Sequence, residues 1–158
     1  MNPEKGSNVF IASSWKQRER VRALADALRQ IGVSVYDFTD PRCRKTPEIP
    51  PEKYPEQFDP TKHNYWEYIG KSEWLAVIEE NFENIDRCNI LVLLLPCGID
   101  AIADWAYAVA KGKETYIVGH PHAGERSPVH RKANGWFADE KGFVAFLQSR
   151  YIIHVPQL

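Results

Sequence analysis

"ILVLLLPCGIDAIADWAYAVAKGKETYIV", Ile90 to Val118, is the stretch whose reading decides the fold. Ile90 to Leu95 are apolar without interruption. A strand covered on one face alternates apolar and polar residues, whereas one covered on both faces reads as a continuous run. Pro96 has no N–H and ends the ladder, and Gly98 is read as loosening the turn that follows. A helix is predicted from Asp100 to Lys111, closed by Gly112. Thr115 to Val118 form the next strand, and Gly119 ends it. Strand, helix, strand is the crossover of a parallel sheet. Within the helix, Ile102, Ala106 and Val109 form one stripe, while Trp105 and Tyr107 fall elsewhere. A helix apolar nearly all round is expected to be deeply buried or to lie in a subunit contact.

The same grammar runs through the rest of the chain. Asn8 to Ala12 read as a first strand, followed by Ser13-Ser14, either of which can cap a helix. The helix from about Trp15 to Gln30 carries Val21, Leu24, Leu28 and Ile31 at helical spacing, and Gly32 stops it. Val33 to Phe38 make a second strand. Lys71 to about Ile85 form a helix with Trp74, Leu75, Ile78, Phe82 and Ile85 on one face. Asp139 to Arg150 form a last helix with Phe143, Phe146 and Leu147 inward, and Ile152-Ile153-His154 read as a short edge strand. Alternating strands and helices predict an α/β domain spanning residues 1–158. The expected architecture is a flavodoxin-like or Rossmann-like three-layer sandwich. Its sheet has four or five mostly parallel strands in the order 2-1-3-4-5.

One segment breaks the pattern. Residues 39–70 hold six of the eleven prolines and no clear period. Tyr54, Phe58, Tyr65, Trp66 and Tyr68 in its second half argue against disorder, which is poor in aromatics. An ordered aromatic lid is expected.

Bulk properties narrow the function classes. A formal net charge of −1 gives no electrostatic case for a nucleic acid polymer or a membrane surface. No apolar run approaches the roughly 20 residues of a membrane span. The opening MNPEKGSNVF has no apolar h-region, so no signal peptide is expected. Cys43, Cys88 and Cys97 are odd in number and lack metal-type spacing, which fits a reducing cytoplasm. His120 and His122 form an HxH pair without an evident third partner, so no metal is expected, and no cofactor.

In parallel sheets of this order, ligands sit at the carboxyl ends of the strands, where the order reverses between strands one and three. That directs attention to Ser13, Ser14 and Trp15, to Asp37 and Phe38, and to Pro96 through Asp104. There is no Walker loop and no GxGxxG. The serines suit a sugar hydroxyl or phosphate, and equally suit simple capping. Asp100 is well placed as a helix N-cap. Asp104 is one turn further on the same face. It either complements the helix dipole or does chemistry. A carboxylate in such a cleft can attack an anomeric carbon or stabilise its oxocarbenium character. Cys97 at the turn has no histidine placed as its partner and reads as an incidental thiol.

"VFIASSWKQRERVRALADALRQIGVSVYDFTDP" (9–41) and "LVLLLPCGIDAIADWAYAVAKGK" (91–113) resemble the nucleoside 2-deoxyribosyltransferase-like family. Deoxynucleotide N-hydrolases belong to the same superfamily, and TIR domains are distant relatives. The LPCG turn is the most specific part of the match. The resemblance implies a catalytic carboxylate at Asp104, where the family has glutamate, and a substrate site including Ser13, Ser14, Trp15, Asp37, Phe38, Gly98 and Asp100. Asp100 stands where the family has a small polar residue that helps hold a phosphate, so an uncharged nucleoside end is favoured. Asn81 falls where many members carry an acid that positions the substrate. Trp105 replaces a small residue, adding bulk beside the site or at a subunit contact. Tyr65 or Trp66 would cover the base.

The implied activity is N-glycosidic cleavage or deoxyribosyl transfer on a nucleoside or nucleotide, by a homodimer or higher homo-oligomer. Alternatives on the same fold are a catalytically weak sensor of such ligands and a TIR-like NAD hydrolase. A redox flavoprotein ranks last, because no loop typical of FMN binding is present.

Overall fold

The computed structural model describes residues 8–50 and 57–152. Its strands are β1 (Asn8–Ala12), β2 (Ser34–Tyr36), β3 (Ile90–Leu94), β4 (Glu114–Val118) and β5 (Gly135–Phe137). Its helices are α1 (Arg18–Gln30), α2 (Tyr65–Ile69), α3 (Ser72–Arg87), α4 (Ile99–Ala110) and α5 (Glu140–Ile152). The sheet has five strands in the order β2-β1-β3-β4-β5, and every pairing is parallel. This is the predicted three-layer α/β architecture, with five strands in the sheet among the described residues.

Strand alternation builds the core on both faces. Val9, Ile11, Val35, Ile90, Val92, Leu94, Tyr116 and Val118 face α1 and α5. There they meet Val21, Leu24, Ala25, Leu28, Phe143 and Leu147. Phe10, Ala12, Tyr36, Leu91, Leu93 and Ile117 face the other way, onto Ile85 of α3 and onto Ala101, Trp105 and Ala108 of α4. Every residue of β3 is buried, which is why its sequence does not alternate. No described helix is long and apolar enough to cross a membrane.

Several expectations are corrected. A strand that the sequence reading did not assign, Gly135–Phe137, takes the fifth place in the sheet. Ile152 ends α5, and Ile153 and His154 lie outside the described residues. Three residues with a glycine at the front gave too short a signal to read as a strand. The buried stripe of α4 is Ala101, Trp105 and Ala108, because the large indole takes the core position and exposed Ala106 does not. Trp105 is 1 % exposed, with its ring edge-on to His130 at 5.7 Å, so its bulk fills the core. On α3, Ile85 is buried, but Leu75, Ile78 and Phe82 are exposed. The insertion contributes α2 and a ring cluster in which Phe58 meets Tyr65 at 5.2 Å and Tyr68 at 5.5 Å. Tyr54 lies outside the described residues.

Candidate active site

The carboxyl ends of β1, β2 and β3 are held together locally. The Ser13 hydroxyl donates to the Leu94 carbonyl at 2.8 Å, tying the end of β1 to the end of β3. The Ser14 hydroxyl accepts from the Lys16 N–H at 3.2 Å and caps the short 3-10 turn Trp15–Gln17. Past β3, the Leu95–Pro96 peptide is cis. The Cys97 N–H donates to Glu125 at 2.8 Å, and the same carboxylate accepts from the His122 N–H at 2.9 Å. One acid from the 119–134 loop thus fixes the turn that leads into α4.

Gly98 is the N-cap of α4, not Asp100, which lies in the first helical turn. Gly98 has a φ of −107°, open to any residue, so the backbone does not demand glycine there. A Cβ on it would meet nothing within 4 Å. The glycine leaves open space over the helix N-terminus, beside Asp100. Gly119 is the contrasting case: its φ is +90°, and a Cβ would come within 2.6 Å of the Leu95 carbonyl.

Asp104 is half-buried one turn into α4. Its Oδ2 accepts a hydrogen bond from Asn81 Nδ2 of α3 at 3.3 Å. Burial, and then the charge of Asp100, push its carboxyl up to about 7, against the opposing effect of the Asn81 bond. Asp104 and Asn81, singled out from sequence, are therefore brought together, with the charge of Asp100 acting on Asp104.

Three residues that the sequence reading passed over complete the surroundings. Tyr36, the last residue of β2, stacks on Phe10 at 5.1 Å and turns to the α3 and α4 side. Burial first, and then Glu80, hold its phenol above its usual range, and the charges of Arg44 and Asp104 both reach it. Glu80, next to Asn81, is buried and accepts from Lys45 N–H at 2.5 Å, Thr46 N–H at 2.9 Å and Thr46 Oγ1 at 2.5 Å. These bonds more than offset burial and lower its carboxyl below 4.5. Arg44 lies with its guanidinium carbon 5.6 Å from the Trp15 ring centroid. Strand alternation could have pointed to Tyr36. Nothing in an irregular segment could have pointed to Arg44.

Other predicted residues lie apart from this group. Asp37 is fully buried and turned onto its own loop, where Oδ1 accepts from the Thr39 N–H and hydroxyl at 2.8 and 2.7 Å. It lines a cleft with Arg22, Arg29, Asp40 and Arg42 that does not include Asp104. Phe38 packs against both core faces and against Trp15 at 5.8 Å. Tyr65 and Trp66 are 57 % and 78 % exposed, and no described contact links them to Asp104. Burial, followed by Glu125, raises the Cys97 thiol to about 12, which leaves it unreactive at neutral pH. Among the described residues, no group of three or more His, Cys, Asp or Glu is arranged to hold a metal ion.

No protein-family model matches the sequence, and no curated protein matches it. Solved structures do. A 2-deoxyribosyltransferase from Bacillus psychrosaccharolyticus aligns with a TM-score of 0.59 and 18% identity, covering 87% of this chain and 90% of that one. The CMP N-glycosidase BcmB of Clostridium botulinum aligns with a TM-score of 0.52 and 14% identity, covering 90% of this chain and 98% of that one. The chain has the fold of the nucleoside 2-deoxyribosyltransferase-like proteins, as its LPCG turn suggested.

Proposed function

We propose that this protein cleaves or exchanges the N-glycosidic bond of a nucleoside or nucleotide, with Asp104 as the reacting carboxylate. One observation carries the reading. A half-buried carboxylate, held by an amide and raised to about 7, stands beyond the end of β3 where the strand order reverses. Such perturbation in a crevice is the mark of a functional acid more often than of a surface one. The likeness to a deoxyribosyltransferase and to a CMP N-glycosidase supports the same chemistry.

In the proposed step, an Asp104 oxygen bonds to the anomeric carbon as the carbon–nitrogen bond breaks. The bond's electron pair leaves on the base, which then takes a proton from solvent. Water or a second base displaces the carboxylate from the glycosyl ester and restores Asp104. Asn81 orients the attacking oxygen. Ser13, Trp15, Gly98 and Asp100 border the sugar, and the negative Asp100 favours a free 5′ end over a phosphate. No cofactor is required. The whole chain is read as one domain acting in the cytoplasm, where three unpaired thiols are at home. The exposed apolar face of α3 supports assembly as a homodimer or larger homo-oligomer.

A second reading has its own observation. A carboxyl near 7 is only partly ionised at neutral pH, and aspartate is one methylene shorter than the family glutamate. A misplacement of roughly 1 Å can cost about a hundredfold in rate. The chain would then be a nucleoside sensor. A panel of ribo- and deoxyribonucleosides, their monophosphates and NAD separates the two, with products resolved by chromatography. Base released by wild type and lost in Asp104→Asn is the expected outcome. No free base from any substrate, with ligand-induced thermal stabilisation, would leave the sensor.

A further inference from the structure

Arg44 stands in the irregular segment that docks onto α3, next to Lys45 and Thr46, which Glu80 holds. Its side chain is 12 % exposed, and its guanidinium lies over the face of Trp15 at 5.6 Å. Its Nε–H is buried without a hydrogen-bond partner among the described residues. Among the described residues its one ion-pair partner is Glu48, at 4.0 Å from Nη2 and itself half exposed. A buried donor left unmatched costs about 1–3 kcal/mol unless an acceptor arrives. The position is fixed rather than accidental. Glu80 grips the next two residues through three hydrogen bonds, and Asn81 beside it holds Asp104. Consecutive residues of α3 thus set both the cation and the carboxylate, and the Tyr36 hydroxyl lies in the field of both.

The acceptor that fits is flat and neutral. A flat ring can lie edge-on in the plane of the guanidinium, where the N–H groups point, with a carbonyl oxygen turned to them. A phosphate dianion is disfavoured, because Glu48 already lies 4.0 Å from the guanidinium and the charged Glu80 holds the two residues that follow it. Displacement at the anomeric carbon also requires the leaving group to depart on the side away from the attacking carboxylate. We infer that Arg44 is a specificity-determining residue that donates a hydrogen bond to the keto oxygen of the departing nucleobase. This deepens the reading given above and rests on it. As the carbon–nitrogen bond breaks, its electron pair is delocalised through the ring onto that oxygen. The guanidinium hydrogen bond strengthens there before solvent protonates the base. Bases with a keto group are therefore favoured over adenine.

The test titrates 2′-deoxyinosine and 2′-deoxyadenosine, which differ at the keto position, into Asp104→Asn protein by calorimetry. That variant does not consume its ligand. Deoxyinosine is expected to bind about tenfold tighter. Adding Arg44→Met should erase the ratio, and Arg44→Lys, which keeps a donor, should retain part of it. Thermal unfolding of each variant separates a lost contact from a lost fold. Equal binding of the two nucleosides, or a ratio that survives Arg44→Met, overturns the assignment. So does deoxyinosine monophosphate binding that falls with Arg44→Met regardless of base, which would make Arg44 a phosphate contact. Base release by wild type without a keto preference refutes Arg44 alone. A keto preference without release refutes the glycosidic reading and leaves Arg44 as the recognition residue of a binding protein.

Discussion

Asp104 carries two separable consequences of its environment. The proposed nucleophile must be ionised, so base release should rise with pH through about 7 and level off above it. Activity already at its plateau at pH 5 would place the reacting group elsewhere. Asp104→Glu introduces the glutamate of the family that the sequence resembles and is expected to raise a weak rate; an unchanged or lower rate would mean that the crevice has adapted to aspartate or is not the site. The same shift bears on stability. The folded carboxyl keeps its proton from the ordinary 3.8 up to about 7, so in that window the folded state binds more protons and loses stability as pH rises. Asp104→Asn removes this penalty, and a gain of ~1–3 kcal/mol at pH 8 with almost none at pH 4 is the expected result in denaturant melts. Equal gains at both pH values would refute the burial argument. Asp104 was legible in the sequence because it follows a turn of distinctive composition. Glu80 was not, since its role arises from partners 34 and 35 residues away across an irregular segment, and Arg44 was not, since it sits in that segment and meets Trp15 only in the fold.

At the scale of elements, the docking of residues 44–46 onto α3 is the most exposed to test. Glu80→Ala leaves two backbone N–H groups without their acceptor and should cost ~2–4 kcal/mol. Because the folded Glu80 carboxyl lies below its ordinary value, its contribution is present above pH 4.5 and fades as pH falls below it. A melt showing less than ~0.5 kcal/mol at pH 7 would argue that the segment is held by other contacts. Strand and helix identities were readable because both sheet faces are buried and the helices are amphipathic. Helix phase was harder. On α4, nearly every position is apolar, so the sequence offers several stripes, and only the sheet selects Ala101, Trp105 and Ala108. On α3, the apolar residues outnumber the core positions available, so Leu75, Ile78 and Phe82 remain outside.

For the molecule as a whole, the strand order was read from the alternation of strands and helices, which suggests the flavodoxin-like arrangement. The last strand escaped notice because it is three residues long with a glycine at its front, and among the described residues it pairs only with β4. The apolar residues left outside on α3 bear on assembly. Phe82 stacks on Tyr107 of α4 at 4.4 Å, which extends the exposed surface across both helices. Wild type is expected to scatter light as a dimer or larger, and Ile78→Glu with Phe82→Glu as a monomer. A monomeric wild type at micromolar concentration would remove the case for a subunit contact there. The grip of Glu80 has a further meaning for descent. It holds Lys45 and Thr46 mainly by their main-chain amides, which every residue but proline possesses. The side chain at position 44 is therefore free to change without undocking the loop that presents it. Preference for one leaving group over another can drift through a single codon while the scaffold stays as it is.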